Sequence, residues 1–395
     1  MKSIIIFPRK NWQEEVEKLG FTFHTLDTLY WDESKAYQIS TSEVLEIEKA
    51  TAELHSMSLE AIQHIIDNNL FYKFGLNEDT ANFIVKSWNE EHPAIYGRFD
   101  LAFNHRESGS RRLKMLEYNA DTPTSLFEAA VIQWHWLKDY CNVIGVEYDQ
   151  FNSLHEKLIA KFRDIESYLQ GERILHFSCV KDSIEDLTTV EYLRDCATQA
   201  GLSTKLLFVE DIGFVHESGE FVDMEEELID NIFKLYPWEW MNDEPFKAGL
   251  DTNNSNCPFW IEPAWKQLIS NKMFLTILWK LFPNHPLLLP AFEDDSYFIE
   301  NNLSYISKPV FGREGNNVTI YQRDGSSYDV FKTGGNYSGQ KLIYQLYFEV
   351  PEFDGCYPII GSWMVDQESA GIGIRENNNR ITDNFSRFIP HFIKD

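Results

Sequence analysis

Apolar residues recur at helical spacing in the segment 40–69. A Ser40-x-x-Glu43 pair, which is typical of helix N-termini, opens this segment. Apolar residues then return every three or four positions, at Val44, Ile47, Leu54, Leu59, Ile62 and Ile66. This period places them on one face of a helix. The pattern therefore predicts one long helix with a single buried face.

The stretches 96–103 and 113–119 have a different pattern. Both are short and mostly apolar, and they flank the turn-rich segment 104–112, "NHRESGSRR". Short apolar runs on either side of a segment rich in Gly, Ser and Asn are typical of paired strands. We therefore predict two buried strands joined by a turn.

Four polar residues interrupt these strands in pairs two positions apart, Arg98 with Asp100 and Glu117 with Asn119. Residues two apart in a strand point to the same face. If the strands pair, two carboxylates and an amide converge, which suits Mg²⁺, and the guanidinium suits a phosphoryl group. A structural salt bridge of Arg98 with Asp100 or Glu117 accounts for the same spacing. On spacing alone, the salt bridge is the simpler interpretation.

The rest of the chain mixes helical and strand patterns. The segment 172–212 predicts a strand, a helix ended by a Gly, and a second strand, as in a βαβ unit. The segment 271–282 predicts a short amphipathic helix ended by a proline, and the chain from residue 305 onward is rich in strands and Gly turns. We therefore expect an α/β or α+β fold, with a small βαβ module in a larger body.

Two lysines and a glycine-containing turn are further candidates for phosphate binding. Lys272 opens the short helix, and Lys308 ends a predicted strand just before Gly312 and Gly315. Backbone N–H groups of such a turn can fold over phosphates. The spacing matches neither common glycine-rich phosphate motif. A hairpin turn with a surface lysine remains the alternative.

Two weaker signals follow near the C-terminus. The strand-like "KLIYQLYFEVPEFDG" ends in a Pro-containing exit that could offer backbone groups to a purine, although core packing is the simpler interpretation. Arg375 follows a Gly-rich strand and could reach an anion, with a surface arginine as the alternative.

The composition indicates which classes of partner and which cellular compartment to expect. The net charge of −27 disfavours nucleic acid and would attract a cationic substrate such as a polyamine. The chain has no apolar run of about 18 residues, so we expect no membrane span. The start "MKSIIIFPRK" predicts a first strand rather than a signal peptide. Five cysteines without paired spacing favour neither disulfides nor structural zinc and indicate a cytoplasmic protein.

Four motifs in order resemble the glutathionylspermidine synthase family, and specifically its stand-alone synthetase-like members. They are "YGRFDLAF…LEYNADTPTSLFEA", "EPAWKQLISNK", "KPVFGREGNN" and "GSWMVDQESAGIGIRENNNRITDNFSRFIPH". The resemblance covers the synthetase part and implies an ATP-grasp ligase with ATP and Mg²⁺ as cofactors. It implies an ATP-grasp-like body at 1–150 and 236–395, with a small inserted pre-ATP-grasp-like module at 151–235. Because the candidate metal ligands precede the lysines, the order looks permuted.

The resemblance also implies roles for single residues. The residues implied to ligate Mg²⁺ are Asp100, Glu117 and Asn119. The residues implied to bind ATP are Arg98, Lys272, Lys308, Gly312, Arg313, Gly315, Gln345, Leu346 and Tyr347. The residues implied to act at the reacting centre are Arg98 and Arg375.

The implied substrates are a small acid and a small amine. We expect the acid beside Thr122, Thr124 and Ser125. This set differs from that of the glutathione-using enzymes, so both glutathione and another peptide carboxylate remain candidates for the acid. Glu185 and Asp186 resemble an acidic pair that contacts amine groups, although a solvated helix start explains them equally. The implied reaction forms an amide, ADP and phosphate through an acyl phosphate. The alternative is a nucleotide-binding regulatory protein without ligase turnover. The sequence does not indicate the oligomeric state.

Overall fold

The computed structural model describes residues 1–25, 28–107, 112–325, 327–383 and 385–395, which form a mixed α/β molecule. The strands are β1 Lys2–Ile5, β2 Lys35–Ile39, β3 Tyr96–Phe103, β4 Leu113–Asn119, β5 Ile174–Cys179, β6 Ser203–Phe208, β7 Gly213–Val215, β8 Glu220–Val222, β9 Asn231–Lys234, β10 Phe259–Ile261, β11 Ala291–Phe292, β12 Tyr305–Pro309, β13 Thr319–Asp324, β14 Ser327–Lys332, β15 Leu342–Leu346, β16 Tyr357–Val365, β17 Glu368–Asn377, β18 Arg387–Ile389 and β19 His391–Ile393. The α-helices are α1 Trp12–Lys18, α2 Thr41–Asp67, α3 Glu78–Asn89, α4 Gln133–Ile144, α5 Leu154–Ile165, α6 Ile184–Gln199, α7 Trp238–Met241, α8 Lys266–Ser270, α9 Phe274–Leu281 and α10 Ser296–Glu300.

Helix α2 confirms the long helix predicted from the apolar spacing. The Ser40 hydroxyl accepts from the Glu43 N–H at 3.3 Å, and the Glu43 carboxylate accepts from the Ser40 N–H at 3.0 Å. The two orphan N–H groups at the start of the helix are thereby satisfied. The buried face, which includes Val44, Ile47 and Leu54, packs on β16, β17 and α9. The helix therefore supports the sheet that carries β16 and β17.

That sheet, which we call the central sheet, is antiparallel with the order β18–β17–β16–β3–β4. The two strands predicted around the turn are confirmed as β3 and β4, and residues 108–111 of the turn lie outside the described residues. Every residue of β3 is buried, because the strand pairs with β16 on one side and β4 on the other. Polar side chains on β3 therefore lie inside the molecule.

A glycine in β16 makes room for the Arg98 side chain. Gly361 is opposite Asp100 in the register, and a Cβ at Gly361 would lie 2.7 Å from Arg98 Cδ. The Arg98 guanidinium lies over the Trp363 ring, 5.6 Å from its centroid. Since interiors are closely packed, these neighbours fix where the guanidinium can point.

A parallel sheet with the order β10–β9–β5–β6 lies elsewhere in the chain. Its β5–α6–β6 unit confirms the predicted βαβ pattern, and α6 packs on both strands. Strand β10 belongs to this sheet but follows residue 235. The sheet thus extends past the range of 151–235 predicted for the inserted module.

A second antiparallel sheet has the order β11–β15–β12–β13–β14. Helix α9, predicted over 271–282, packs on β11 and follows Lys272 directly. Lys308 lies near the end of β12. None of the helices in the described ranges is long and apolar enough to cross a membrane.

Candidate active site

The polar residues of β3 and β4 meet on one face of the central sheet. Asp100 is opposite Glu117 in the register, and Arg98 is opposite Asn119. The Asn119 amide nitrogen lies 3.2 Å from an Asp100 oxygen and 3.4 Å from a Glu117 oxygen. A half-turn of this amide presents its oxygen to the same point. Two carboxylates and an amide oxygen are hard donors, so the three residues fit Mg²⁺.

Asp100 is shared by two guanidinium groups. Arg98 donates to both oxygens of Asp100, at 2.7 and 3.2 Å, and to the Thr124 carbonyl at 2.5 Å. The Arg375 Nη2 lies 3.5 Å from Asp100 Oδ2. The salt bridge that the sequence offered as an alternative is therefore present, and it lies within the cluster of candidate metal ligands.

Both predicted lysines reach this cluster from separate elements. The Lys272 ammonium lies 3.0 Å from Glu117 Oε2 and donates to the Gly312 carbonyl at 2.6 Å. The Lys308 ammonium donates to the Leu116 carbonyl at 3.1 Å and to Gln345 Oε1 at 2.9 Å. Lys308 is buried rather than a surface lysine on a hairpin.

The lysines change the ionisation of their neighbour. Burial opposes ionisation of Glu117, yet the nearby charges of Lys272 and Lys308 outweigh it and lower the pKa of Glu117 to about 2. Burial lowers the pKa of Lys308 to about 8, and the Glu117 carboxylate offsets part of this effect. Glu117 is therefore an anion over the whole physiological pH range, ready to bind a cation.

A cleft of about 810 Å³, counting its open mouth, lies against this cluster. The predicted residues that line it are Asp100, Glu117, Lys272, Lys308, Gly312, Gly315, Gln345, Leu346 and Tyr347. Apolar side chains such as Ile306 and Ile359 line it too. A cleft of this size, apolar with a few convergent charges, suits a nucleotide.

Sequence reasoning gave no role to a segment that also lines the cleft, Arg380 to Thr382. Gly315 has φ +66° and packs so closely on this segment that a Cβ would lie 2.3 Å from the Thr382 carbonyl oxygen. The polar run "RENNNR" after the Gly-rich strand was the available signal. Gly315 is thus required for a close approach of two chain segments.

Arg313 lies beside Lys272 and Gly312 in a small pocket next to the cleft. It is absent from the lining of the cleft, and its Nη1 donates to the Thr122 hydroxyl at 2.9 Å. Its Nη2 forms a salt bridge with Glu239. Arg313 therefore connects the glycine-containing loop to the segment where we expect the acid substrate.

The segment 345–347, where we predicted backbone contacts to a purine, already forms hydrogen bonds within the protein. The Leu346 N–H donates to the Pro290 carbonyl at 2.8 Å, and the Tyr347 N–H donates to the Ser304 carbonyl at 3.1 Å. The Gln345 side chain accepts from Lys308. In this conformation, neither of these two N–H groups is a free donor for a base.

A buried acidic cluster lies beside the predicted substrate segment. The Tyr30 hydroxyl donates to Glu128 Oε1 at 2.5 Å and lies 3.0 Å from the Ser125 hydroxyl. Glu128 Oε2 has no hydrogen-bond partner among the described residues. Burial, reinforced by the charge of Glu185, raises the pKa of Glu128 to about 7. Sequence reasoning missed Glu128, although an acidic residue within the apolar run "SLFEAAVI" was a signal.

Helix α6 brings the predicted acidic pair to this cluster. Ser183 caps the helix by accepting from the Asp186 N–H at 3.2 Å. Burial and the neighbouring Asp186 raise the pKa of Glu185, while the charge of Arg375 and a hydrogen bond to Thr124 oppose the rise. Burial also raises the pKa of Asp186. Glu185 is therefore partly buried against the predicted substrate segment rather than solvated at a free helix end.

A buried ion pair fixes the position of Asp121, which directly precedes the predicted substrate segment. The Lys234 ammonium, at the end of β9, lies 2.6 Å from Asp121 Oδ1, and the Trp238 N–H donates to Asp121 Oδ2 at 2.9 Å. Both charged residues are about 1 % exposed. A lysine at the end of an apolar strand was the only hint of this pair in the sequence.

Known proteins match this chain over most or all of its length. A family model described as "Glutathionylspermidine synthase preATP-grasp" matches residues 3–394. A "putative acid–amine ligase" of Haemophilus influenzae is 39% identical, with all of both chains covered. A trypanothione synthetase of Crithidia fasciculata is 30% identical over 87% of this chain, and a bifunctional glutathionylspermidine synthetase/amidase of Escherichia coli is 28% identical over 90%. The chain spans only 54% and 59% of those two proteins.

A solved structure shares the fold. A glutathione synthetase-like effector from Globodera pallida aligns with a TM-score of 0.57 and 10% identity, over 91% of this chain and 89% of that one. This likeness concerns the fold alone. It confirms the predicted fold class, a mixed α/β fold of the ATP-grasp-like kind.

Proposed function

Because the chain belongs to the glutathionylspermidine synthase family, we propose that it is an ATP- and Mg²⁺-dependent ligase that joins a carboxylate to an amine. The acid is glutathione or another peptide carboxylate, and the amine is polyamine-like and enters as a cation. The names of the similar proteins, which are ligases and synthetases, support this class of reaction.

The observation that carries the proposal is the meeting of two carboxylates and two lysines at one end of the cleft. Asp100 and Glu117 come from adjacent strands, whereas Lys272 and Lys308 come from distant parts of the chain. Mg²⁺ bound by Asp100, Glu117 and Asn119 would neutralise charge on the ATP phosphates. Mg–ATP binding explains why these four charged groups meet.

In the first step, an oxygen of the substrate carboxylate attacks the γ-phosphorus of ATP, and ADP leaves with the electron pair of the broken P–O bond. The product is an acyl phosphate, which is a better electrophile than the carboxylate. Lys272 and Lys308 bind phosphate oxygens, and Arg98 and Arg375 stabilise the charge that grows during transfer. The buried site also keeps water from the acyl phosphate.

In the second step, the bound ammonium first releases one proton to solvent, the resulting neutral amine attacks the acyl carbon, phosphate leaves, and the nitrogen loses a second proton as the amide forms. The acidic cluster of Glu128, Glu185 and Asp186 binds the amine substrate. Their raised pKa values support this role, because crowded, buried carboxylates gain most when a cation arrives between them.

The test is a screen of purified protein for ADP release with Mg–ATP across pairs of small acids and amines, followed by mass spectrometry of the product. Turnover that needs both substrates, yields an amide and is lost in Asp100→Ala supports the proposal. Asp329→Asn, at an exposed position on β14, is the matched control. ATP binding without ADP release for any pair would instead favour the regulatory alternative.

A further inference from the structure

A second group of acidic residues, none of them placed in the ligase site, contacts the parallel sheet through Lys205 on β6. Asp223, Glu225 and Glu227 follow β8, and their carboxylate oxygens lie within 4.8 Å of one another. The Lys205 ammonium lies among them, 2.5 Å from Glu225, 3.0 Å from Glu227 and in contact with Asp223. Three carboxylates and one ammonium leave a net charge of −2 at this point.

A buried imidazole faces the same group. His176 on β5 is directly opposite Lys205 on β6 in the parallel register, so both side chains lie on one face of the sheet. The His176 ring is about 97% buried, and its Nε2 has no hydrogen-bond partner among the described residues. The nearest acidic atom, Asp223 Oδ2, is 3.8 Å away, too far for a hydrogen bond.

The other ring nitrogen of His176 fixes the tautomer. His176 Nδ1 lies 3.4 Å from the carbonyl oxygen of Asn231, which can only accept a hydrogen bond. With the proton on Nδ1, the neutral ring has its lone pair on Nε2, directed at Asp223. Metal-binding histidines are commonly oriented by a carbonyl in this way.

The Asp223 side chain is also oriented before any ligand binds. Its Oδ1 accepts from the N–H groups of Glu225 at 2.8 Å and Glu227 at 3.1 Å. These bonds leave Oδ2 directed at Lys205 and His176. The three carboxylates therefore surround one point, and the free imidazole nitrogen of His176 faces the Asp223 oxygen at its edge.

We propose that His176, Asp223, Glu225 and Glu227 form a binding site for a divalent first-row transition-metal ion, whose place the Lys205 ammonium takes in the metal-free protein. Imidazole with carboxylates suits ions such as Mn²⁺ and Zn²⁺ better than Mg²⁺. On binding, Lys205 turns out to solvent, which its partly exposed side chain permits. The ion joins β5 to the segment after β8 and so stabilises the parallel sheet.

The experiment titrates the full-length protein with Mn²⁺ in the absence of nucleotide and follows bound ion by electron paramagnetic resonance. We expect one bound Mn²⁺ with ¹⁴N coupling from a directly bound imidazole. This signature distinguishes the site from the ligase cluster, which offers only oxygen ligands. Asp100→Ala should therefore leave the coupled signal unchanged.

Variants complete the test. Asp223→Asn should weaken Mn²⁺ binding by about 10-fold or more and remove the ¹⁴N coupling. Lys205→Met should strengthen Mn²⁺ binding, because the resident cation is gone, and Asp195→Asn, an exposed change on α6, should alter nothing. Circular dichroism checks that each variant is folded. Absence of Mn²⁺ binding in both the wild type and Lys205→Met, or ¹⁴N coupling that persists in Asp223→Asn, would overturn the proposal.

Discussion

The two halves of the candidate active site differ in how far their carboxylates are paired with cations. On the cleft side, each carboxylate has a cationic partner: Arg98 binds Asp100, and Lys272 binds Glu117, whose pKa falls to about 2. On the α6 side, burial and the neighbouring carboxylates outweigh the charge of Arg375, which lowers the pKa values of Glu128 and Glu185, and the pKa of Glu128 rises to about 7. Arginine and lysine side chains neutralise the carboxylates of the first half, whereas carboxylates predominate in the second half.

The difference indicates what each half binds. Mg–ATP brings a cation and an anion together, so a half that already holds carboxylates beside lysines and arginines can exchange internal ion pairs for bonds to the ligand. A polyamine-like substrate brings only positive charge, which suits a half where carboxylates outnumber the one nearby cation, Arg375. The overall charge of −27 would not show this division, because it averages over both halves.

The largest expected effect comes from removing a carboxylate of the cleft side. Asp100→Ala and Glu117→Ala should each lower the rate of ADP formation by at least about 10³-fold, because the phosphates lose the ion that neutralises them. Stopped-flow or steady-state assays of ADP release measure this rate, and circular dichroism should show an intact fold. Rates near those of Asp329→Asn would contradict the assignment of the metal ligands.

A smaller loss is expected from Lys308→Met. Methionine keeps the apolar stem of this buried side chain but removes its charge, so binding of a fluorescent ATP analogue should weaken by about 10²-fold. The pKa of Glu117 should rise in the same variant, since Lys308 helps to lower it. If ATP bound the variant and the wild type equally, Lys308 would not contact phosphate.

The cleft side was largely predictable from sequence, for physical reasons. The two-residue period places Arg98 with Asp100 and Glu117 with Asn119, and neighbouring strands joined by a short turn usually pair. Local patterns thus sufficed for that half of the cluster. No local pattern predicts that Lys308, some 190 residues further along the chain, reaches the same cluster. That expectation followed only from the family resemblance.

The acidic side was less predictable, because long-range packing creates it. Tyr30 reaches Glu128 across 98 positions, and Lys234 reaches Asp121 across 113. A single polar residue in an apolar run signals a buried polar partner without identifying it. Arg313 shows the same limit, since nothing in the glycine-containing loop indicated the contact of its side chain with Thr122.

A moderate effect should separate the acidic half from the cleft side. Glu128 has a pKa of about 7, so it is mostly neutral at pH 6 and mostly ionised at pH 8. An alkylammonium stays protonated over this range, with a pKa near ~10.4. The KM for the amine should therefore fall as pH rises from 6 to 8. Glu128→Gln should raise this KM by about 10-fold at pH 8 and flatten its pH dependence.

The control for this prediction is Asp195→Asn, an exposed change on the same helix as Glu185. It should keep both the KM and its pH dependence. The KM for ATP should be unchanged in Glu128→Gln, because Glu128 does not line the cleft. A slope that persists in Glu128→Gln would show that Glu128 is not the group whose ionisation controls amine binding, and would point instead to Glu185 or Asp186, whose pKa values are also raised.

The smallest effect is expected where backbone packing, rather than charge, positions the site. In Gly361→Ala, the new methyl group would lie 2.7 Å from Arg98 Cδ. Arg98 cannot easily move away, because Asp100 and Trp363 hold its guanidinium. We expect kcat to fall several-fold with little change in the KM for ATP, and the free energy of unfolding to fall by about 1 kcal/mol.

Gly334→Ala is the matched control for this change, because a Cβ at Gly334 has no atom within 4 Å among its described neighbours. Urea unfolding and steady-state kinetics on both variants make the comparison. A Gly361→Ala enzyme with full kcat but lower stability would mean that Arg98 can shift without cost to the chemistry. The Arg98–Asp100 pair would then serve folding rather than phosphoryl transfer, and Arg375 would be the remaining guanidinium at the reacting centre.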